Sequence, residues 1–146
     1  MILVVDTNIL FSACITPQNR ISEILFSPLP DLLKVCSPYA IDELLEHKEK
    51  LARLSKHTLS EVDAVLKDIL KQVDFYNDDI IADEFWREAY RLTIGVDSKD
   101  INFVALTLQT GGILWTGDKK LINHLKALGF NRVITTAELY EKVKPK

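Results

Sequence analysis

The chain is short of several things, and each shortage excludes a class. It has five glycines and five prolines in 146 residues, with no repeat and no low-complexity stretch, which argues against a fibrous or disordered polypeptide. No apolar run approaches the ~20 residues that a membrane-spanning helix needs. The first residues carry no basic segment and no small-residue cleavage site, so they do not read as a signal peptide. Only two cysteines occur, Cys14 and Cys36, in apolar contexts and without metal-type spacing. They read as buried thiols of a reducing compartment. The three histidines, His47, His57 and His124, are scattered, read as surface residues, and form no zinc pattern. The net charge of −3 leaves no global basic footprint, so an anionic partner must be attracted by local patches. What remains is a cytoplasmic, soluble chain, 47% hydrophobic and 27% charged, of a length that suits one domain over residues 1–146.

Its pattern begins at once. Ile2 to Val5 is a continuous apolar run, short and β-branched, which reads as a strand buried on both faces. It ends at Asp6, and Ile9, Leu10 and Ala13 then recur at helical spacing. Further strands are expected at Leu32–Cys36, Val73–Tyr76, Ile113–Thr116 and Arg132–Thr135. Between them lie helical patterns. One long helix is expected after Ser37-Pro38, with Ile41, Leu44, Leu45, Leu51 and Leu54 on one face. A second runs from Leu59 to Val73, a third from Ile80 to about Leu92, and a fourth from Ser98 to Gln109. Shorter helices fall at Asn8–Ala13 (broken by Thr16-Pro17-Gln18-Asn19), Arg20–Phe26, Lys119–Leu128 and Ala137–Val143. Alternation of this kind specifies a three-layer α/β/α fold around a central parallel five-stranded sheet of Rossmann-like topology.

Ligands of such sheets bind outside the carboxyl ends of the strands. Asp6 ends the first strand and Asp118 the fourth, on the same edge. The plainer reading of each is a helix N-cap. Asp97-Ser-Lys-Asp100 has the spacing of a capping box. Yet Asp100 enters a helix whose Ile101, Phe103, Val104, Ala105, Leu106 and Leu108 cover nearly its whole circumference. A carboxylate there is costly unless something cationic meets it. Glu43 sits in the first turns of the helix that leaves the second strand. Four carboxylates, Asp6, Glu43, Asp100 and Asp118, can therefore converge, with Asp97 as a possible fifth. An oxygen-only donor set suits Mg²⁺ or Mn²⁺ and metal-assisted attack of water on a phosphodiester. For holding nucleic acid, Lys119 and Lys120 follow Asp118, and Lys48, Lys50, Arg53 and Lys56 follow Glu43; a solvated helix face is the competing explanation.

Asp6-Thr7-Asn8 after a strand, Glu43 after the second, Asp100-x4-Ala105 on a central helix and Thr116-Gly117-Asp118 after a late strand together resemble the PIN-domain nucleases. The resemblance implies a Mg²⁺/Mn²⁺-dependent endoribonuclease with the four acids as its metal site and Asn8 and Thr116 supporting them. It also implies a likeness to the toxin half of toxin–antitoxin pairs, which are often dimeric and inhibited by a small partner protein. Thr107 stands where such proteins often carry Ala. A receiver-type signalling module would need a lysine after the last strand, where Thr136-Ala137-Glu138 stands. A haloacid-dehalogenase-like phosphatase would need Asp in place of Asn8. A non-catalytic PIN-like scaffold that binds RNA or protein remains the alternative.

Overall fold

Four consecutive apolar residues leave β1 (Ile2–Val5) no polar face to show to water, and it takes the centre of the sheet. The computed structural model describes residues 1–16 and 19–144; the break expected at Pro17-Gln18 lies outside them. Flanking β1 are β2 (Leu33–Cys36) and β4 (Ile113–Trp115), with β3 (Asp74–Phe75) and β5 (Val133–Ile134) at the edges. All pairings are parallel and the order is β3-β2-β1-β4-β5. β1 has its expected bounds, β2 and β4 are one residue shorter than expected, and the edge strands β3 and β5 are two residues shorter. Gly112 lets β4 come close to β1, since a Cβ there would lie 2.8 Å from the carbonyl oxygen of Ile2.

The helices divide between the two faces. After β1 come α1 (Thr7–Ile15) and α2 (Arg20–Phe26); after β2 come α3 (Tyr39–Glu46), α4 (Lys48–Ser55) and α5 (Leu59–Leu70). α1 packs against α3, α4 and α5. On the other face, α6 (Asp83–Thr93) and α7 (Ile101–Thr110) pack together, α7 lies on β1 and β4, and α8 (Lys119–Ala127) packs on α6. This split follows from right-handed crossovers that run first towards β3 and then back towards β5. The last helix, α9 (Thr136–Val143), packs on α2. There Tyr140 donates from Oη to Glu23 Oε2 (2.9 Å), and the Arg20 guanidinium sits 4.7 Å from the Tyr140 ring centroid.

Three expectations are corrected. The single helix after Ser37-Pro38 is broken at His47 into α3 and α4. The two pieces pack separately, α3 on α1 and α4 on both α1 and α5. The break leaves Leu44 and Leu51 buried while Leu45 and Leu54 turn to solvent. The α6 helix starts at Asp83 instead of Ile80, because Asn77 caps a 3₁₀ turn over Asp78–Ile80 first. Finally, His57 and His124 are half-buried rather than on the surface, each with one buried ring nitrogen that has no partner. The helical hairpin of α4 and α5 forms as expected, closed by a Thr58–Glu61 capping box. Both cysteines are free and buried. Thr107 is buried and its hydroxyl returns to the Phe103 carbonyl (2.7 Å).

Candidate metal centre

β1 ends at Asp6 because the chain turns there into α1, and the carboxylate caps that helix. Its Oδ1 accepts from the Thr7 amide (2.7 Å). Its Oδ2 accepts from Thr116 Oγ1 (2.8 Å) and Asn8 Nδ2 (3.1 Å). Asp6 is 5% exposed, and burial pushes its carboxyl up to about 6. The hydrogen bonds from Thr116 and Thr7 oppose that rise, while Glu43 and Asp118 add to it.

Thr116 is the hub that joins β1 to β4. Its one hydroxyl proton goes to Asp6, and its oxygen accepts from Asn8 Nδ2 (3.1 Å) and the Asp118 amide (3.1 Å). That uses the whole hydrogen-bonding capacity of a hydroxyl. Asn8 closes the ring, its Oδ1 accepting from the Gly117 amide (3.0 Å). Asp118 in turn caps α8 through Oδ1 and the Leu121 amide (3.1 Å). The cap readings of Asp6 and Asp118 are thus correct, and neither removes the residue from the cleft.

Glu43 arrives from α3, where Thr7 Oγ1 donates to its Oε1 at 2.6 Å. Asp97 caps a 3₁₀ turn over Ser98–Asp100 by accepting from the Lys99 amide (3.0 Å). Asp100 does not complete the expected capping box. Its Oδ2 is buried without a hydrogen-bond partner instead. Burial, followed by the charges of Asp6, Asp118, Asp97 and Glu43, holds its carboxyl at about 7. A second brace positions this turn: Asp78 accepts from Ser37 Oγ at the end of β2 (3.2 Å) and from Asn102 Nδ2 on α7 (3.0 Å).

Asp6, Glu43, Asp97, Asp100 and Asp118 line one open cleft of about 280 Å³ together with Thr7 and Asn8. Phe11, His47, Lys99 and Phe103 complete its walls. Sequence reasoning missed these four and Thr7. Helical spacing offered a signal for some, since Asn8 and Phe11 lie three apart and Glu43 and His47 four apart. Thr116 stands behind the cleft, fully buried. The lysines expected at the site fare differently. Lys48 pairs with Asp63 (2.5 Å), and Lys119 and Lys120 are exposed on the first turn of α8, outside the cleft lining. Lys50 reaches over the Phe11 ring at 5.8 Å from its centroid.

A family model for the PIN domain matches residues 4–138. The chain belongs to the PIN-domain family. Solved structures agree on the fold of this PIN domain. VapBC2 from Rickettsia felis, bound to a DNA fragment of its promoter, aligns with a TM-score of 0.72 at 14% identity, covering 92% of this chain and 98% of that one. VapBC-1 from nontypeable Haemophilus influenzae gives 0.67 at 17% identity, with 94% and 99% covered. PAE2754 from Pyrobaculum aerophilum gives 0.66 at 17% identity, with 97% and 88% covered. No curated protein sequence matches the chain. Among the described residues of the PIN domain, no helix is long and apolar enough to cross a membrane.

The residues fit a hard divalent cation. The donors are carboxylate oxygens, one of them is buried and unpartnered, and the carboxyls of Asp6 and Asp100 are driven towards protonation by burial first and then by neighbouring acids. Among the described residues no three His, Cys, Asp or Glu side chains close into a cage for an ion. Carboxylates that repel one another stand apart without a cation, and Mg²⁺ in any case keeps several waters and uses few protein ligands.

Proposed function

We propose that this PIN domain is a Mg²⁺- or Mn²⁺-dependent endoribonuclease, with Asp6, Glu43, Asp100 and Asp118 as its metal ligands and Asp97 at the margin. The observation that carries the reading is the buried, unpartnered Asp100 Oδ2 facing the charges of four other acids. A bound divalent ion would supply activation of the attacking water and stabilisation of charge on the phosphodiester. The chain's own part is to hold the ligands in place beforehand. Thr116 and Asn8 fix Asp6, Thr7 fixes Glu43, and the α8 cap fixes Asp118. These bonds set the carboxylate orientations without drawing on the cation.

Cleavage of a labelled single-stranded RNA by purified protein tests this, run with Mg²⁺, Mn²⁺ or EDTA beside Asp100→Asn. Cutting is expected with metal only and is lost in the variant. Cutting that survives EDTA, or none with either metal, would overturn it. The second reading, a non-catalytic scaffold for RNA or protein, draws on the lack of a closed cage for an ion among the described residues. The likeness to the two VapBC structures supports a toxin role in the cytoplasm with a small antitoxin partner. Family membership supports a homodimer, and sedimentation at micromolar concentration distinguishes it from a monomer.

A further inference from the structure

Five acidic residues line the cleft, and Lys99 is the one lysine or arginine among its lining residues. An RNA strand brings more negative charge to this concentration of acids, so approach of a phosphate needs a cation within reach besides any bound metal. Lys99 occupies the turn between Asp97 and Asp100, and its backbone amide donates to Asp97 Oδ1 at 3.0 Å. The turn that positions Asp100 therefore fixes where the lysine side chain starts. The residue is exposed. Among the described residues it makes no ion pair; those present join Lys48 to Asp63, Arg91 to Glu88 and Lys144 to Glu141. Acids surround Lys99 without clamping it, which leaves its ammonium available as a compact, mobile point charge. Of the other cations weighed for this task, Lys48 is paired with Asp63, Lys50 lies over the Phe11 ring at 5.8 Å from its centroid, and Lys50, Arg53, Lys56, Lys119 and Lys120 are not among the residues that line the cleft.

We propose that Lys99 is the phosphate-binding residue of the site, seating a phosphate of single-stranded RNA beside the carboxylates. This rests on the ribonuclease reading above. It adds a substrate contact that belongs neither to the acids nor to their supporting hydrogen bonds.

The test has a binding arm and a cleavage arm. Binding of a fluorescein-labelled oligouridine is followed by anisotropy with Ca²⁺ in place of Mg²⁺, over a series of salt concentrations. Loss of one charge-assisted phosphate contact should weaken Lys99→Met by about tenfold at low salt. The slope of log affinity against log salt should fall by about 0.7, the value for one phosphate on a single strand. Lys99→Arg should retain most of the affinity, and both variants should melt with the parent. Unchanged affinity and slope in Lys99→Met, or equal losses in Lys99→Met and Lys99→Arg, would overturn the assignment. Cleavage of the same oligonucleotide with Mg²⁺ or Mn²⁺ tests the reading beneath it. Parent protein that binds in this lysine-dependent way but does not cut leaves Lys99 in place and removes the nuclease. Parent protein that cuts while Lys99→Met cuts with the same KM removes Lys99 alone. If the parent neither binds nor cuts, both are overturned.

Discussion

Replacing Asp100 with Asn should make the metal-free protein more stable at neutral and alkaline pH. The substitution is nearly isosteric, and the buried Oδ2 has no hydrogen bond to lose. What it removes is a carboxyl held at about 7 against an ordinary 3.8, chiefly by burial and then by the charges of Asp6, Asp118, Asp97 and Glu43. A raised carboxyl pKa means that the folded state binds the proton more tightly than the unfolded chain. Below pH 3.8 both states are protonated and ionisation of Asp100 costs the fold nothing. From there to about pH 7 stability falls as pH rises, and beyond it the whole penalty is present. At about 1.4 kcal/mol per pH unit the unscreened penalty is about 4 kcal/mol. Asp100 is only half-buried, so solvent screening reduces this to about 1–2 kcal/mol. In a domain of this size that is a rise in melting temperature of about 3–6 °C. Thermal unfolding in EDTA at about pH 8 and pH 4.5 measures it, with a gain at the higher pH that shrinks by more than half at the lower. Mg²⁺ should then raise the melting temperature of the parent and not of the variant. A variant that melts below the parent at pH 8 in EDTA, or gains equally at both pH values, would refute the reasoning.

Thr116→Val should cost about 1–3 kcal/mol, because it leaves the Asp118 amide without a partner and takes one of two hydrogen bonds each from Asp6 Oδ2 and Asn8 Nδ2, while Thr116→Ser should cost under about half of that; urea unfolding decides. Asp78→Ala removes the acceptor shared by Ser37 and Asn102, and should lower stability by about 1–3 kcal/mol on the same measurement. If the brace positions the Asp100 turn, metal-dependent cleavage by Asp78→Ala should also fall, against an unchanged rate if the two are independent. Gly112→Ala forces a Cβ to 2.8 Å from a β1 backbone oxygen, and should destabilise by more than about 1 kcal/mol, read from its denaturation midpoint.

Much of the sheet was legible because each strand is a short apolar run that ends abruptly, and a parallel sheet buried on both faces leaves no other use for such runs. Asp6, Glu43 and Asp118 could be placed on one edge by counting strand ends alone. Asp100 was singled out by the apolar circumference of its helix, and α7 does lie on β1 and β4. The break at His47 was invisible because Leu44, Leu45, Leu51 and Leu54 satisfy one helical stripe equally well, and only the packing of α3 on α1 and of α4 on α1 and α5 chooses among them. Lys99 was passed over because the spacing of Asp97 and Asp100 drew attention to a cap, and Lys48 was favoured without any view of Asp63 on the neighbouring helix. The Asp78 brace joins three segments far apart in sequence, a pairing that periodicity does not carry.

The bond from Thr116 to Asp6 spans 110 positions. Contacts of such separation form late, since loop closure over most of the chain must precede them. A growing polypeptide therefore carries β1 as an unpaired apolar strand until β2 and then β4 have emerged, a period in which it invites misassembly. The same delay acts as a safeguard. A fragment that ends before Thr116 contains Asp6, Glu43 and Asp100 but lacks the hydroxyl that orients the first of them, the fourth acid and half the neighbours of β1. The site proposed for hydrolysis is therefore incomplete until β4 and Thr116 are in place, and products truncated before Thr116 should be inert.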